Sequence, residues 1–437
     1  MNVAKLYQQR AAWIYLPAVL FAGLAFLWIS HVALPLPPQT VTISAGRPGG
    51  MYQVHAAAYR ALLNARGISL QVLESAGTGE NLQRLKNPNN SVQIALAQSG
   101  YAHNESTQAA SIGIQTLAQV DIEPIWVFSR YRDVDSLLRL QGQRVAIGQQ
   151  GSGSREVALR LLRQVRLEAK DLLESEVVGM NTVAALRDGK IDATIFVASV
   201  NAPVVQALLS APGIYLANLK RSAALSERMP YLDARFAAAG SLNASRLQPS
   251  QDMVLLSTVA SILVREDLHP MIKRALMHAA LQHHASAGPL HRSNEFPHLK
   301  RLEFPSTPQS REVLRDGLPW IEQHLPLSWA QWLYRLIFIG LPLSLLVWLV
   351  CKIAPSYLSW RIDSRINRWY GELKFIENDL NQGQPGGLEL AQFRSRLKGI
   401  AKQVSAYPLP KNYMQRLFVL QQHIALVNSK MQSRLGR

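Results

Sequence analysis

Two stretches of this chain are long and apolar enough to cross a lipid bilayer, and they bracket almost everything else. The first, Trp13 to Leu36, runs 24 residues without Asp, Glu, Lys or Arg. A helix of about 20 apolar residues spans the hydrocarbon layer. The second, Leu333 to Ile353, holds Arg335 and Lys352 near its ends, where long side chains reach the interface. A cleaved signal peptide is the rival for the first, but such h-regions are only about 7–15 residues long. Pro35, Pro37 and Pro38 end the first helix and Pro342 predicts a kink in the second. Trp329, Trp332 and Tyr334 form an interfacial belt. Charged residues make up 17% of the chain, below the about 25% usual for soluble proteins, as lipid-embedded segments require.

The flanking charges orient the spans. Lys5 and Arg10 precede the first, and Lys352, Arg361, Arg365 and Arg368 follow or close the second. The positive-inside rule then predicts both termini in the cytoplasm and residues 39–328 outside it. The net charge is +17, and residues 331–437 alone carry 15 Lys/Arg against 5 Asp/Glu. Basic residues beside apolar spans point to a bilayer surface, and no nucleic-acid partner is expected. The single cysteine, Cys351, excludes an intramolecular disulfide and a multi-cysteine zinc site.

From residue 40 the pattern alternates between β-rich runs and helical spacing. Expected strands are Val41–Ala45, Ser69–Leu73, Val92–Ala97, Ile125–Phe128, Arg144–Ile147, Val177–Val178 and Ala193–Val197. Helical stripes lie between them, as at Val54, Ala58, Ala61 and Leu62, or Val157, Leu161, Leu162 and Val165. Such alternation implies an α/β fold with mainly parallel sheets. A segment this long exceeds one α/β core, so two lobes are expected. The first crossing is placed near Arg130–Gln141 and the second near Leu219–Ala239.

Three glycine-rich segments follow strands and open helices: Gly46–Tyr52, Gly77–Asn81 and Gly148–Ser154. Helix starts of this kind present free N–H groups to a carboxylate or phosphate. The candidate ligand-binding residues there are Arg47, Gly49, Gly50, Met51, Tyr52, Gly77, Thr78, Gly79, Asn81, Gly151, Ser152, Gly153 and Ser154, joined by Gln98 and Ser99 at a strand end. Arg47 is a candidate carboxylate clamp, because its guanidinium fork matches two oxygens. GQQGSGSR has P-loop glycine spacing, but Ser154-Arg155 replaces the Lys-Ser/Thr pair. GxSxG is absent, so Ser152 has no nucleophile elbow.

SAGRPGGMYQVHAAAYRALL, ESAGTGENLQRLKNPNNSVQIALAQSGYA, GQRVAIGQQGSGSREVALRLL and LRDGKIDATIFVASVNAPVVQALL occur in that order. Together they resemble the TAXI family of TRAP transporter solute-binding subunits over roughly residues 40–325. The chain departs from that family's pattern at Arg47, Ala76, Gln93 and Gly100. The resemblance implies a two-lobed, periplasmic-binding-protein-like (type II) α/β domain. Its expected ligand is a small carboxylate, glutamate-like or 2-oxoglutarate-like, and its partners are TRAP-type membrane permease subunits. It also implies a ligand contact at Ser199, in the turn after the DGKIDA strand.

The expected layout is a cytoplasmic N-terminus (1–12), a transmembrane helix (13–36) and a solute-binding domain (39–328). Lobe 1 covers about 39–130 and 240–328, and lobe 2 about 131–239. A second transmembrane helix (333–353) and a cytoplasmic helical tail (354–437) follow. In the tail, Ile362, Ile366, Trp369, Leu373, Ile376 and Leu380 are spaced as a heptad seam. Phe393, Leu397, Ile400 and Val404 repeat it, as do Leu417, Leu420, Ile424, Val427 and Met431. Breaks at Gln382–Gly387 and Tyr407–Pro410 predict a bundle of three helices.

His278, His283, His284, His291 and His298 cluster in sequence without HExxH or an acid at ligand spacing, so no metal site or cofactor is expected. Glu80 has no second carboxylate for acid–base work. No nucleophile, base and orienter occur together, and no enzymatic activity is expected. The leading reading is a bacterial inner-membrane, extracytoplasmic solute-binding subunit. The alternative is a transmembrane ligand sensor that signals through its tail.

Overall fold

The structure, a computed structural model, describes residues 3–101, 113–382, 387–407 and 414–435. It falls into two units: Leu34–Tyr334, and Met1–Ala33 with Arg335–Arg437. The second unit starts with α1 (Val3–Ala33).

Within Leu34–Tyr334 the chain opens with β1 (Thr40–Ser44), α2 (Met51–Asn64), β2 (Ser69–Leu73), α3 (Thr78–Lys86) and β3 (Val92–Gln98). A long strand, β4 (Ile114–Ser129), leads to β5 (Arg144–Ala146), α4 (Gly153–Gln164), β6 (Leu173–Ser175), α5 (Asn181–Arg187) and β7 (Ala193–Val197). Next come α6 (Pro203–Ser210), β8 (Tyr215–Leu216), α7 (Ser222–Arg228) and β9 (Asp233–Ala237). The unit closes with β10 (Met253–Arg265), α8 (Pro270–His284), α9 (Pro308–Asp316), α10 (Trp320–His324) and most of α11 (Leu327–Arg335).

Two sheets result, with strand orders β2-β1-β3-β10-β4 and β4-β7-β5-β6. The β1–β2, β1–β3, β5–β6 and β5–β7 pairs are parallel, as alternating βα units require. The centre is antiparallel, which the alternation did not announce: β10 runs against both β3 and β4, and β4 against β7. The crossing lies inside β4, earlier than the expected 130–141. Residues up to Pro124 pair with β10, and Ile125 onward pairs with β7. Pro124 cannot donate to a ladder, and it stands where the strand leaves one partner for the other. β4 is buried over nearly its whole length, so it shows no polar alternation to reveal its extent. The strand expected at Val177–Val178 lies instead at Leu173–Ser175.

Each lobe has its own apolar centre. Ile43, Tyr59, Leu63, Ile94, Ile262 and Leu276 belong to the first, and Val145, Ile147, Val157, Leu161 and Ile195 to the second. The α4 stripe read from the sequence is the buried face, with Val157, Leu161 and Leu162 inside.

In the other unit, α1 is followed by a π-helical turn, Leu336–Gly340, and then α12 (Leu341–Gln382), α13 (Gly387–Ala406) and α14 (Met414–Leu435). The π turn sits just before Pro342, whose missing N–H frees a carbonyl one turn back. Two helical stretches, Leu16–Ala33 and Leu327–Ile353, are long and apolar enough to cross a membrane. Their side chains are largely exposed, Phe21 by 73% and Trp28 by 69%, unlike those of a core helix. The three tail seams meet in one core that buries Ile366, Leu373, Ile376, Leu397, Val404, Leu420 and Val427. α12 runs from the apolar stretch into the tail without interruption. The breaks expected at 382–387 and 407–410 fall largely in 383–386 and 408–413, outside the described residues.

Candidate functional site

A cavity of about 450 Å³ lies between the two lobes. Four helices open onto it: α2 through Gly50, Met51 and Tyr52, α3 through Gly77 and Thr78, α4 through Ser152, Gly153 and Ser154, and α6 through Pro203 and Val204. The first turn of a helix leaves N–H groups without intrahelical partners and carries the positive end of its dipole. At α2 and α3 no side chain caps those groups. Val177, Val178, Met180, Phe196 and Val204 supply an apolar wall.

The lobes touch closely around this space. A Cβ on Gly153 would stand 3.0 Å from both Gln98 Oε1 and Thr78 Oγ1, across the cleft. At the mouth Arg47 donates to Gln149 Oε1. Arg47 thus links the two lobes beside the cavity.

Gln98 is 5% exposed, and its Nε2 has no hydrogen-bond partner among the described residues. A buried amide without a partner costs about 1–3 kcal/mol, and the Gln98 side chain lines both this cavity and a second, small one of about 10 Å³ beside Ser99, Gln119 and Glu303. Behind it Thr78 Oγ1 accepts from Gln98 N at 3.0 Å and fixes the strand end.

Sequence reasoning missed Glu123. It is 5% exposed, lines the cavity, and accepts from the Tyr52 hydroxyl at 3.2 Å. Burial, reinforced by the charge of Asp121, pushes its carboxyl up to about 8. Burial and Glu123 likewise hold the Tyr52 phenol well above its usual range. Glu123 is thus a neutral hydrogen-bonding group at pH 7. The available signal was Asp121-Ile122-Glu123, two carboxylates inside an otherwise apolar strand.

This yields a pH prediction. The folded protein keeps the Glu123 proton above the ordinary value of 4.5, where the unfolded chain has lost it. That stabilisation is full below about 4.5 and disappears as pH rises through about 8. Glu123→Gln should flatten this slope, by roughly 4–5 kcal/mol across the window. Urea melts at a series of pH values check it, and parallel profiles for the two proteins would contradict it.

Of the residues expected from sequence, Arg47, Gly49, Gly50, Met51, Tyr52, Gly77, Thr78, Gln98, Ser152, Gly153, Ser154 and Ser199 line the cavity. Four do not. Asn81 is fully buried within the first lobe, where it accepts from Ser44 Oγ at 2.6 Å and donates to the carbonyls of Ala45 and Leu96. All its polar capacity holds β1 to β3. Ser99 Oγ faces Ser261 Oγ at 3.4 Å, and its carbonyl accepts from Thr258. Gly79 and Gly151 pack against each other, the Gly151 carbonyl standing 2.7 Å from where a Gly79 Cβ would be. Glu80 accepts from Ala76 N, in the turn ahead of α3, at 2.6 Å. The glycine at position 100 has φ +93° and lies under the Tyr231 ring, which leaves no room for an acidic side chain.

Two of the clustered histidines meet a third from a distant helix. His283 and His284, at the end of α8, face His55 on α2, behind the Tyr52–Glu123 side of the first lobe.

Residues 43–287, more than half of the chain, match the NMT1-like family. The chain belongs to that family. In this NMT1-like protein two α/β lobes surround a ligand-sized cleft. Solved structures similar to it include the periplasmic aliphatic sulphonate binding protein SsuA from Escherichia coli. That pair has 17% identity and a TM-score of 0.32, covering 56% of this chain and 73% of that one. The alkanesulfonate-binding protein SsuA from Xanthomonas axonopodis pv. citri, bound to MOPS, has 16% identity and a TM-score of 0.32, covering 56% and 75%. A putative periplasmic sulfonate-binding protein from Methylobacillus flagellatus KT has 14% identity and a TM-score of 0.35, covering 69% and 87%. A comparison with curated proteins gives no match.

Proposed function

We propose that this NMT1-like protein is an extracytoplasmic solute-binding subunit, anchored in a bacterial inner membrane, that captures a small carboxylate for a TRAP-type permease. The observation that carries the ligand reading is Gln98, a buried amide with an unmade donor bond at a cavity where four helix N-termini converge. One carboxylate oxygen accepts from Gln98, and the other meets the uncapped N–H groups of α2 and α3. Neutral Glu123 adds no repulsion at pH 7. The apolar wall takes the carbon chain of a glutamate-like or 2-oxoglutarate-like acid. The TRAP assignment rests on the TAXI-like segments around Gly49, Gly77 and Gly151.

Two apolar helices cannot form a translocation path, so permease subunits must supply it. The basic flanks support a cytoplasmic position for both termini. Purifying the full chain from its native membranes tests the partnership. A co-purifying multi-span permease supports transport. Signalling proteins in its place favour the sensor, the reading to which the unbroken passage of α12 into the tail lends itself.

Arg47→Ala should weaken carboxylate binding about 10-fold. It removes a charge-assisted link between the lobes, and such bonds contribute about 1.5–3 kcal/mol. Calorimetry that finds unchanged affinity would reduce Arg47 to a solvated loop residue.

A further inference from the structure

We propose that His55, His283 and His284 bind one late first-row divalent metal ion, Zn²⁺ being the reference occupant, between α2 and α8. Each residue offers a nitrogen, and the three donor atoms lie within 4.8 Å of one another. His55 Nδ1 and His283 Nε2 are 3.0 Å apart. The ring centroids of His55 are 5.2 Å from those of His283 and 4.7 Å from those of His284, and the two neighbours are 4.5 Å from each other. Imidazoles at about 2.0–2.1 Å from a tetrahedral zinc place their donor nitrogens about 3.3 Å apart, so small ring rotations suffice.

The surroundings suit a metal. His55 is 5% exposed and His284 8%. Burial holds His283 below the usual imidazole range, and burial with its two neighbours takes His284 down to about 2. The second nitrogen of His55, Nε2, faces Asp121 Oδ2 at 3.6 Å. A carboxylate there favours the Nε2–H tautomer and turns the Nδ1 lone pair toward His283. The Tyr59 hydroxyl is 2.7 Å from His284 Nε2 and helps fix that ring. An all-imidazole donor set selects zinc, copper, nickel or cobalt over calcium or magnesium. The fourth coordination position is left to a small ligand such as water.

The site is separate from the cleft. His55 is one turn into the helix whose start, Gly50 to Tyr52, lines the cavity, and Asp121 stands two residues before Glu123 on β4. A bound ion would pin α2 to a helix 228 residues away in sequence and hold the cleft's first loop in place.

The test uses the full chain in detergent, without a polyhistidine tag, stripped with a chelator and desalted. Zn²⁺ is added, and metal is counted after a second desalting alongside a thermal melt. One retained equivalent and a raised Tm are expected. His55→Gln, His283→Gln and His284→Gln should each weaken retention at least about 10-fold, and Asp121→Asn about 10- to 100-fold. Retention of no metal by the unmodified chain, or equal retention in all three histidine variants, overturns the proposal. Should the glutamine variants fail to fold, Co²⁺ bound to the unmodified chain decides. Intense visible bands of tetrahedral, nitrogen-ligated cobalt support the site, and the weak octahedral spectrum of the hydrated ion overturns it.

Discussion

A Gly153→Val protein is expected to fold normally and to lose ligand binding by about 100-fold or more, roughly 2.7 kcal/mol. Gly153 is the first residue of α4, and its φ is not in the left-handed region, so valine fits the backbone itself. The obstacle is across the cleft. Its Cβ would meet Gln98 Oε1 and Thr78 Oγ1 at 3.0 Å and Gln98 Cβ at 3.2 Å. A single methyl can be met by a shift of the Gln98 side chain. The two γ-methyls of valine require the lobes to separate, and separation opens the cavity between them to water. Gly153→Ala should therefore be mild and Gly153→Val severe. Calorimetric titration of both separates steric closure from loss of the fold. A valine variant with parental affinity would show that the lobes need not meet here.

Glu322→Ala should cost about 3–5 kcal/mol of stability. Glu322 has no exposed surface. Arg274 on α8 donates to it through Nε at 3.0 Å to each oxygen and through Nη2 at 2.5 Å. The Tyr334 hydroxyl adds a bond at 3.4 Å, and Arg66 donates to the Glu322 carbonyl at 2.6 Å. Alanine leaves a mostly buried guanidinium with only Glu312, 3.8 Å away. The charge was tolerable because it was paired and bonded at both ends. Glu322→Gln keeps some acceptor capacity and should lose less. Denaturant melts followed by tryptophan fluorescence measure both. An alanine variant within about 1 kcal/mol of the parent would remove the pair from the stability account.

What the sequence revealed and what it hid follow from the range of the interactions. The tail seams from Ile366 to Met431 are periodic within single helices, and they are the residues that form the tail core. The glycine loops are equally local, because a strand, a turn and a helix start are adjacent in the chain. Their convergence on one cavity was foreseeable from the order of βα units. The ends of β4 were not foreseeable, since a strand buried on both faces loses its period-two pattern. Asn81 misled because a polar residue at a helix start reads the same whether it faces a ligand or a neighbouring strand. Only its bonds to Ser44, Ala45 and Leu96 decide. Glu123 and the His55–His283–His284 group depend on contacts between distant segments, which spacing cannot encode.

The most direct measurement of the central claim is a melting series of the full-length protein in detergent. The panel contains small mono- and dicarboxylates, sulfonates, neutral sugars and amines. The account predicts that at least one small carboxylate stabilises the protein saturably, by about 2.7 kcal/mol at a hundredfold excess over Kd. Gly153→Val should abolish that shift. Stabilisation by an amine or a neutral solute with no response to any carboxylate, or no response to the whole panel, would contradict the carboxylate-binding cleft.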